Sequence, residues 1–234
     1  MTIEGGCEVP IRNLRTASLK KTLVNPCIPG VEKCGTSIAQ RALSINSSMA
    51  NPDTIALAAC AEAEGLESVL VGGNAVNLHA YFRTTFDVDL LIREKDLERW
   101  LAFFQQRGYT IFHRTPNFIR LRFAANPTAA LPVDLMLADA QTFSTIQRGS
   151  RRYDIGNGLS LAIPSPLHLI AMKLHALRSP QRFETGVDLQ DVKHLIKSAK
   201  IDTSSREFTE IAEHYATDTI RSRLLRELGE QSGP

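Results

Sequence analysis

The chain has 234 residues, 43% of them hydrophobic and 22% charged, with a formal net charge of +2. That is enough apolar material for one sizeable domain, or one domain and a smaller helical unit, and it excludes global disorder and a histone-like polycation. The longest apolar runs, Thr54 to Ala61 and Leu66 to Val71, are too short to span a bilayer, and Glu4 and Glu8 interrupt any secretory leader, so a cytoplasmic location away from membranes is expected.

Residues 1–50 mix Pro10, Pro26 and Pro29 with glycines and a Ser/Thr-rich end, and show no sustained period. They read as a poorly structured N-terminal extension. Cys7, Cys27, Cys34 and Cys60 form no CxxC pair and read as free thiols. An α/β unit is expected over 51–164. Asn51 or Asp53 caps its first helix, which carries Ile55, Leu57, Ala58 and Ala61. Ser68 to Val71 is a short apolar strand ending at Gly72-Gly73, and Asn74 to Phe82 places Ala75, Val76, Leu78 and Phe82 at helical spacing.

Asp87 to Ile92 is the second strand. Lys95 to Arg107 is a helix that buries Leu97, Trp100, Leu101 and Phe104 and stops at Gly108. Tyr109 to Phe112 and Phe118 to Phe123 form a strand pair, the latter with Ile119, Leu121 and Phe123 on one face and Arg120 and Arg122 on the other. Pro132 to Leu137 is read as the last core strand. After Pro164-Ser165-Pro166 the chain turns helical, with one stripe from Leu167 to Leu177 and further helices over Val187 to Ile196 and Glu207 to Leu228. This helical part occupies 165–234.

The chemistry concentrates between Gly72 and Asp134. Strand alternation puts Asp87 and Asp89 on one face and Val88 and Leu90 on the other. Two carboxylates on one patch raise each other's pKa unless a cation lies between them, so Mg²⁺ is expected there. Asp134, flanked by Val133 and Leu135, supplies a third acid on another strand. Gly72-Gly73 before a helix admits two readings, a sterically tight turn or a turn that lets phosphate oxygens reach backbone N–H groups. Asn74 either caps that helix or donates to a phosphate. Lys173 is either a phosphate partner or a solvated helix residue. His168 and His175 lack a third ligand and read as packed or surface side chains. Arg148, Arg151 and Arg152, with Arg120 and Arg122, read as a basic zone that is either a solvated face or a guide for an acceptor.

The order Val71-Gly72-Gly73, Asp87-Val88-Asp89-Leu90 and Val133-Asp134-Leu135 resembles the nucleotidyltransferase superfamily related to DNA polymerase beta. More narrowly, Gly72-Gly73-x-Ala75 with Arg83-x-Thr85-x-Asp87-x-Asp89 resembles its AbiEii-type branch, known for toxins of toxin–antitoxin pairs. In the helical part, Lys173, Arg178 or Arg182, and Asp188 with Asp191 stand where that branch has its lysine, arginine and Asp-x-x-Asp helix. Val187 stands where the branch has a basic residue. The resemblance implies a mixed sheet flanked by helices and followed by a helical part. It also implies a two-metal site (Mg²⁺ or Mn²⁺) on Asp87, Asp89 and Asp134, with ions about 3.5–4 Å apart. NTP contacts are implied from Gly72, Gly73, Asn74, Arg83, Thr85, Lys173 and Arg182. The implied reaction moves an NMP from the NTP to an RNA (tRNA-like) or protein hydroxyl with release of pyrophosphate, with an antitoxin as partner. The alternative is a nucleotide-binding or interaction module that keeps the fold without turnover.

Overall fold

The computed structural model describes residues 52–79, 82–156 and 158–230. The expected N-terminal extension and Cys7, Cys27 and Cys34 lie outside the described residues. Helix α1 (Pro52–Ala63) opens with proline at its first position and buries Ile55, Ala58, Ala59, Cys60 and Ala61, as a helix apolar on most sides must. Strand β1 (Ser68–Leu70) is buried throughout and leads into the short helix α2 (Gly72–Leu78). Strand β2 (Val88–Arg93), a 3₁₀ turn and helix α3 (Leu97–Gln106) follow. Trp100, Phe103 and Phe104 of α3 pack edge-to-face or stacked on one another, with Tyr109 beyond. Strands β3 (Tyr109–Thr115) and β4 (Phe118–Phe123) form the expected antiparallel hairpin, and β5 (Val133–Ala138) lies beside β4.

The sheet does not end there. Helix α4 (Ala140–Arg148) and a second hairpin, β6 (Arg151–Gly156) with β7 (Leu159–Ile163), follow β5 before the chain turns helical. Asp139 caps α4 by accepting from the N–H groups of Gln141 and Thr142, both at 2.9 Å. Strand β6 is an edge strand without a fully buried residue, which explains why its alternation is faint in the sequence. The described residues build a seven-stranded mixed sheet in the order β3-β4-β5-β2-β1-β7-β6, with β2/β5 and β1/β7 parallel.

The helical part is α5 (Pro166–Ala176), α6 (Pro180–Thr185), α7 (Val187–Ser198), α8 (Arg206–Tyr215) and α9 (Asp218–Glu230). Two segments differ from the sequence reading. Residues 179–186, between the expected helical stretches, contain α6, and the helix expected over Glu207 to Leu228 breaks at Ala216, whose backbone is extended. Leu169, Leu174, Leu189, Val192 and Leu195 share one hydrophobic core with Leu70, Leu90, Trp100, Phe104 and Leu135. On the opposite face of the sheet a smaller cluster forms around Val69, Leu91 and Phe143. Val88, Leu90 and Ile92 face the large core and Leu91 the small one, so alternation carries Asp89 onto the small-cluster face. Among the described residues, no helix is long and apolar enough to cross a membrane.

Candidate active site

Strand register assembles the acids. Parallel pairing of β2 with β5 sets Asp89 opposite Asp134, and antiparallel pairing of β4 with β5 sets Arg120 opposite Asp134, so one row across three strands reads Arg120, Asp134, Asp89. Asp87 lies just before β2, whose first residue is tied down by the Val88 N–H donating to the Pro132 carbonyl at 2.9 Å. Carboxylate oxygens of Asp87, Asp89 and Asp134 all lie within 4.8 Å of one another. Among the described residues this is the one group of three His, Cys or carboxylate side chains so placed.

Such a cluster is electrostatically expensive. Burial, then the charges of Asp87 and Asp134, push the Asp89 carboxyl up to about 7. Burial also raises Asp134, against the pull of Arg120. Arg120 donates through Nε to Asp134 Oδ1 at 2.7 Å, through Nη2 to the second Asp134 oxygen, and to Asp87 Oδ2 at 3.1 Å. It is the site residue that sequence reading assigned only to a basic face. Its partner was legible only with the strand order in hand.

The glycine pair fits around these groups. Gly72 has φ +64°, and a Cβ there would lie 1.8 Å from Asp89 Oδ2. At Gly73 a Cβ would lie 2.4 Å from Thr85 Cγ2 and 2.9 Å from Arg83 Nη2. Asn74 is buried and caps no helix; its Nδ2 donates to the Asp87 carbonyl at 2.8 Å and its Oδ1 accepts from Thr85 Oγ1 at 3.0 Å. Asn74 thereby holds the segment that carries Asp87. A second charged group stands beside the acids. Arg83 forks onto Asp191 with both contacts at 2.8 Å, and Lys173 reaches Asp188 at 2.7 Å and Asp191 at 2.8 Å. Arg182 reaches Asp188 at 3.3 Å. Burial alone would raise the Asp191 carboxyl, but the Arg83 hydrogen bonds and the Lys173 charge outweigh it and hold it below its usual value.

These elements enclose a cleft of about 790 Å³. Its lining brings together Gly72, Gly73, Arg83, Thr85, Asp87, Asp89, Asp134, Lys173 and Arg182, and leaves out Asn74. Phe86, Phe118, Met136 and Met172 add an apolar wall absent from the sequence-derived set. The basic zone does not hold together. Arg120 belongs to the acid row, whereas Arg151 and Arg152 sit on β6 at the far edge of the sheet, where Arg152 binds Glu62 and Ser160.

No protein-family model and no curated protein matches the sequence. Among solved structures, the solution structure of the antibiotic-resistance factor ANT(2'')-Ia matches with a TM-score of 0.52 at 13% identity, covering 77% of this chain and 95% of that one. The crystal structure of ANT(2'')-Ia in complex with adenylyl-2''-tobramycin gives 0.53 at 15% identity, covering 74% and 98%. The chain has a nucleotidyltransferase-type fold. The lincosamide antibiotic adenylyltransferase LnuA, lincomycin-bound, is a third match, with a TM-score of 0.38 at 16% identity over 57% of this chain and 88% of its own. Within the nucleotidyltransferase-type fold, the donor set of this chain suits a hard divalent cation. Three carboxylates converge, and burial, with the charges of the other two, raises one of them to about 7.

Proposed function

We propose that the protein is a divalent-metal-dependent nucleotidyltransferase that moves an NMP from an NTP to an acceptor hydroxyl and releases pyrophosphate. The observation that carries this reading is the convergence of Asp87, Asp89 and Asp134 in a cleft that also holds Lys173 and Arg182. The three acids would hold Mg²⁺ or Mn²⁺. Bound there, the metal supplies charge to activate an attacking hydroxyl and to neutralise a leaving pyrophosphate. Gly72 and Gly73 let a triphosphate approach backbone that a side chain would block, and Arg182 and Lys173 offer positive charge to it. Arg83, on the cleft wall, docks its loop on Asp191, and Asn74, behind the cleft, fixes Thr85 and the Asp87 backbone.

For the acceptor we propose an RNA end of tRNA type or a protein hydroxyl. The Gly72-to-Asp89 pattern supports an AbiEii-type role as a cytoplasmic toxin with an antitoxin partner. The adenylylated tobramycin held by the neighbouring ANT(2'')-Ia adds a small hydroxylated molecule to the acceptors to be tried. Two observations favour a second reading, a nucleotide-binding module without turnover. Arg120 already neutralises part of the acid cluster, and Lys173 is bound to two aspartates. Incubation with each α-labelled NTP, Mg²⁺ and total cell extract separates the two. Labelled RNA or protein and released pyrophosphate, lost in Asp87→Asn and Asp89→Asn, support transfer. NTP binding in a calorimeter without pyrophosphate release supports the module.

A further inference from the structure

Helix α6 is part of the cleft wall, since Arg182 and Thr185 both line the cleft. None of its six residues is buried, and so short a helix does not hold itself. It is strung between Ser179 and Gly186, the latter at φ +70°. Half-buried Phe183 packs against the large core, and two arginines add polar ties to the neighbouring helices. Arg182 reaches Asp188 of α7 at 3.3 Å, and its charge also acts on Asp89 and Asp134. From α9, Arg223 donates through Nη1 to the Phe183 carbonyl at 3.1 Å, with its guanidinium 4.8 Å from the Phe183 ring centroid. Arg223 is itself oriented by Glu227 at 2.8 Å, and the second Glu227 oxygen accepts from Lys193 at 2.9 Å. Lys193 lies on α7, only 4% exposed, so Glu227 is committed to it. The Lys193–Glu227 ion pair thus ties α9 to α7, and Arg223 reaches from that anchored helix to α6.

We infer that Arg223 is a positioning residue: it latches α6 and thereby sets Arg182 at the place where the triphosphate enters. This rests on the nucleotidyl-transfer reading for its kinetic consequence, but the latch can be measured without nucleotide. The full-length wild type is compared with Arg223→Ala, Arg223→Lys, Arg182→Gln and the Arg182→Gln/Arg223→Ala double variant, by hydrogen exchange and by NTP kinetics. Arg223→Ala should speed amide exchange across residues 180–185 and raise the NTP KM about five- to tenfold, with kcat within about twofold. Arg223→Lys should restore most of the lost affinity. In the Arg182→Gln background, Arg223→Ala should add nothing to KM, because both changes act through one side chain. Unchanged exchange in α6 overturns the latch, and additive KM effects overturn its action through Arg182. A wild type that turns over no NTP refutes the transfer reading instead, and the latch is then decided by the exchange of α6 alone.

Discussion

Replacing Asp89 with asparagine should stabilise the metal-free protein. The carboxyl is raised from 3.8 to about 7 by burial and by the charges of Asp87 and Asp134. That corresponds to an energy on the order of 4 kcal/mol, an upper figure because the three acids titrate together. The folded state holds the proton more tightly than the unfolded chain. Stability from this group is therefore complete below pH 3.8, falls as the pH rises from there to about 7, and is absent above. A neutral amide of the same shape avoids that loss. In chelator at pH 8, Asp89→Asn should be more stable than the wild type by about 1–4 kcal/mol, or about 3–12 °C in Tm for a domain of this size. At pH 5, where the wild-type carboxyl is protonated, most of the gain should vanish. Thermal melts followed by circular dichroism at both pH values measure it. An Asp89→Asn variant no more stable at pH 8, or equally stabilised at pH 5, refutes the electrostatic reasoning. Saturating Mg²⁺ should then raise the wild-type Tm and leave that of the variant nearly unmoved.

Gly72→Ala forces a left-handed φ on a side-chain-bearing residue, about 1–2 kcal/mol, and sets a Cβ 1.8 Å from Asp89 Oδ2. Its Mg²⁺-induced rise in Tm should be lost even if the protein folds. Asp191→Ala leaves Lys173 and Arg83 without their shared buried carboxylate and should cost about 3–5 kcal/mol in denaturant unfolding. In the wild type the contribution of Asp191 should be present above 3.8 and be lost as the pH falls through its lower folded value, a trend absent in Asp191→Asn. Arg120→Ala removes the cation from Asp134 and Asp87, so the metal-free protein at pH 8 should melt lower and show a larger Tm rise with Mg²⁺ than the wild type.

The acids were legible because strand alternation is a local rule: Asp87 and Asp89 must share a face, and Val88 and Leu90 must share the other. Their meeting with Asp134 was legible only as a pattern of spacing, since the parallel β2/β5 register that sets Asp89 against Asp134 is a tertiary fact. Arg120 shows the limit. Its alternation with Ile119 and Leu121 marks a polar face, but whether that face meets water or acids depends on which strand lies beside β4. Asn74 was read as a cap or a phosphate donor because both are local roles, whereas its actual partners, Thr85 and the Asp87 carbonyl, lie 11 and 13 residues away. Helix α6 has no buried residue and so leaves no apolar period to read, and the half-exposed β6 leaves little more. Lys173, Asp188 and Asp191 were placed by resemblance, but their mutual ion pairs come from the packing of α5 against α7.

Nucleotidyl transfer stands or falls with the fate of the α-phosphate of an NTP. The protein is incubated with each α-labelled NTP, Mg²⁺, and RNA, protein and small-molecule fractions of a cell extract, and covalent label and pyrophosphate are measured together. Metal-dependent transfer predicts label on one acceptor class in equal measure with pyrophosphate, abolished by chelator and by Asp87→Asn. Label that persists in that variant, or NTP that binds and is never cleaved, contradicts it.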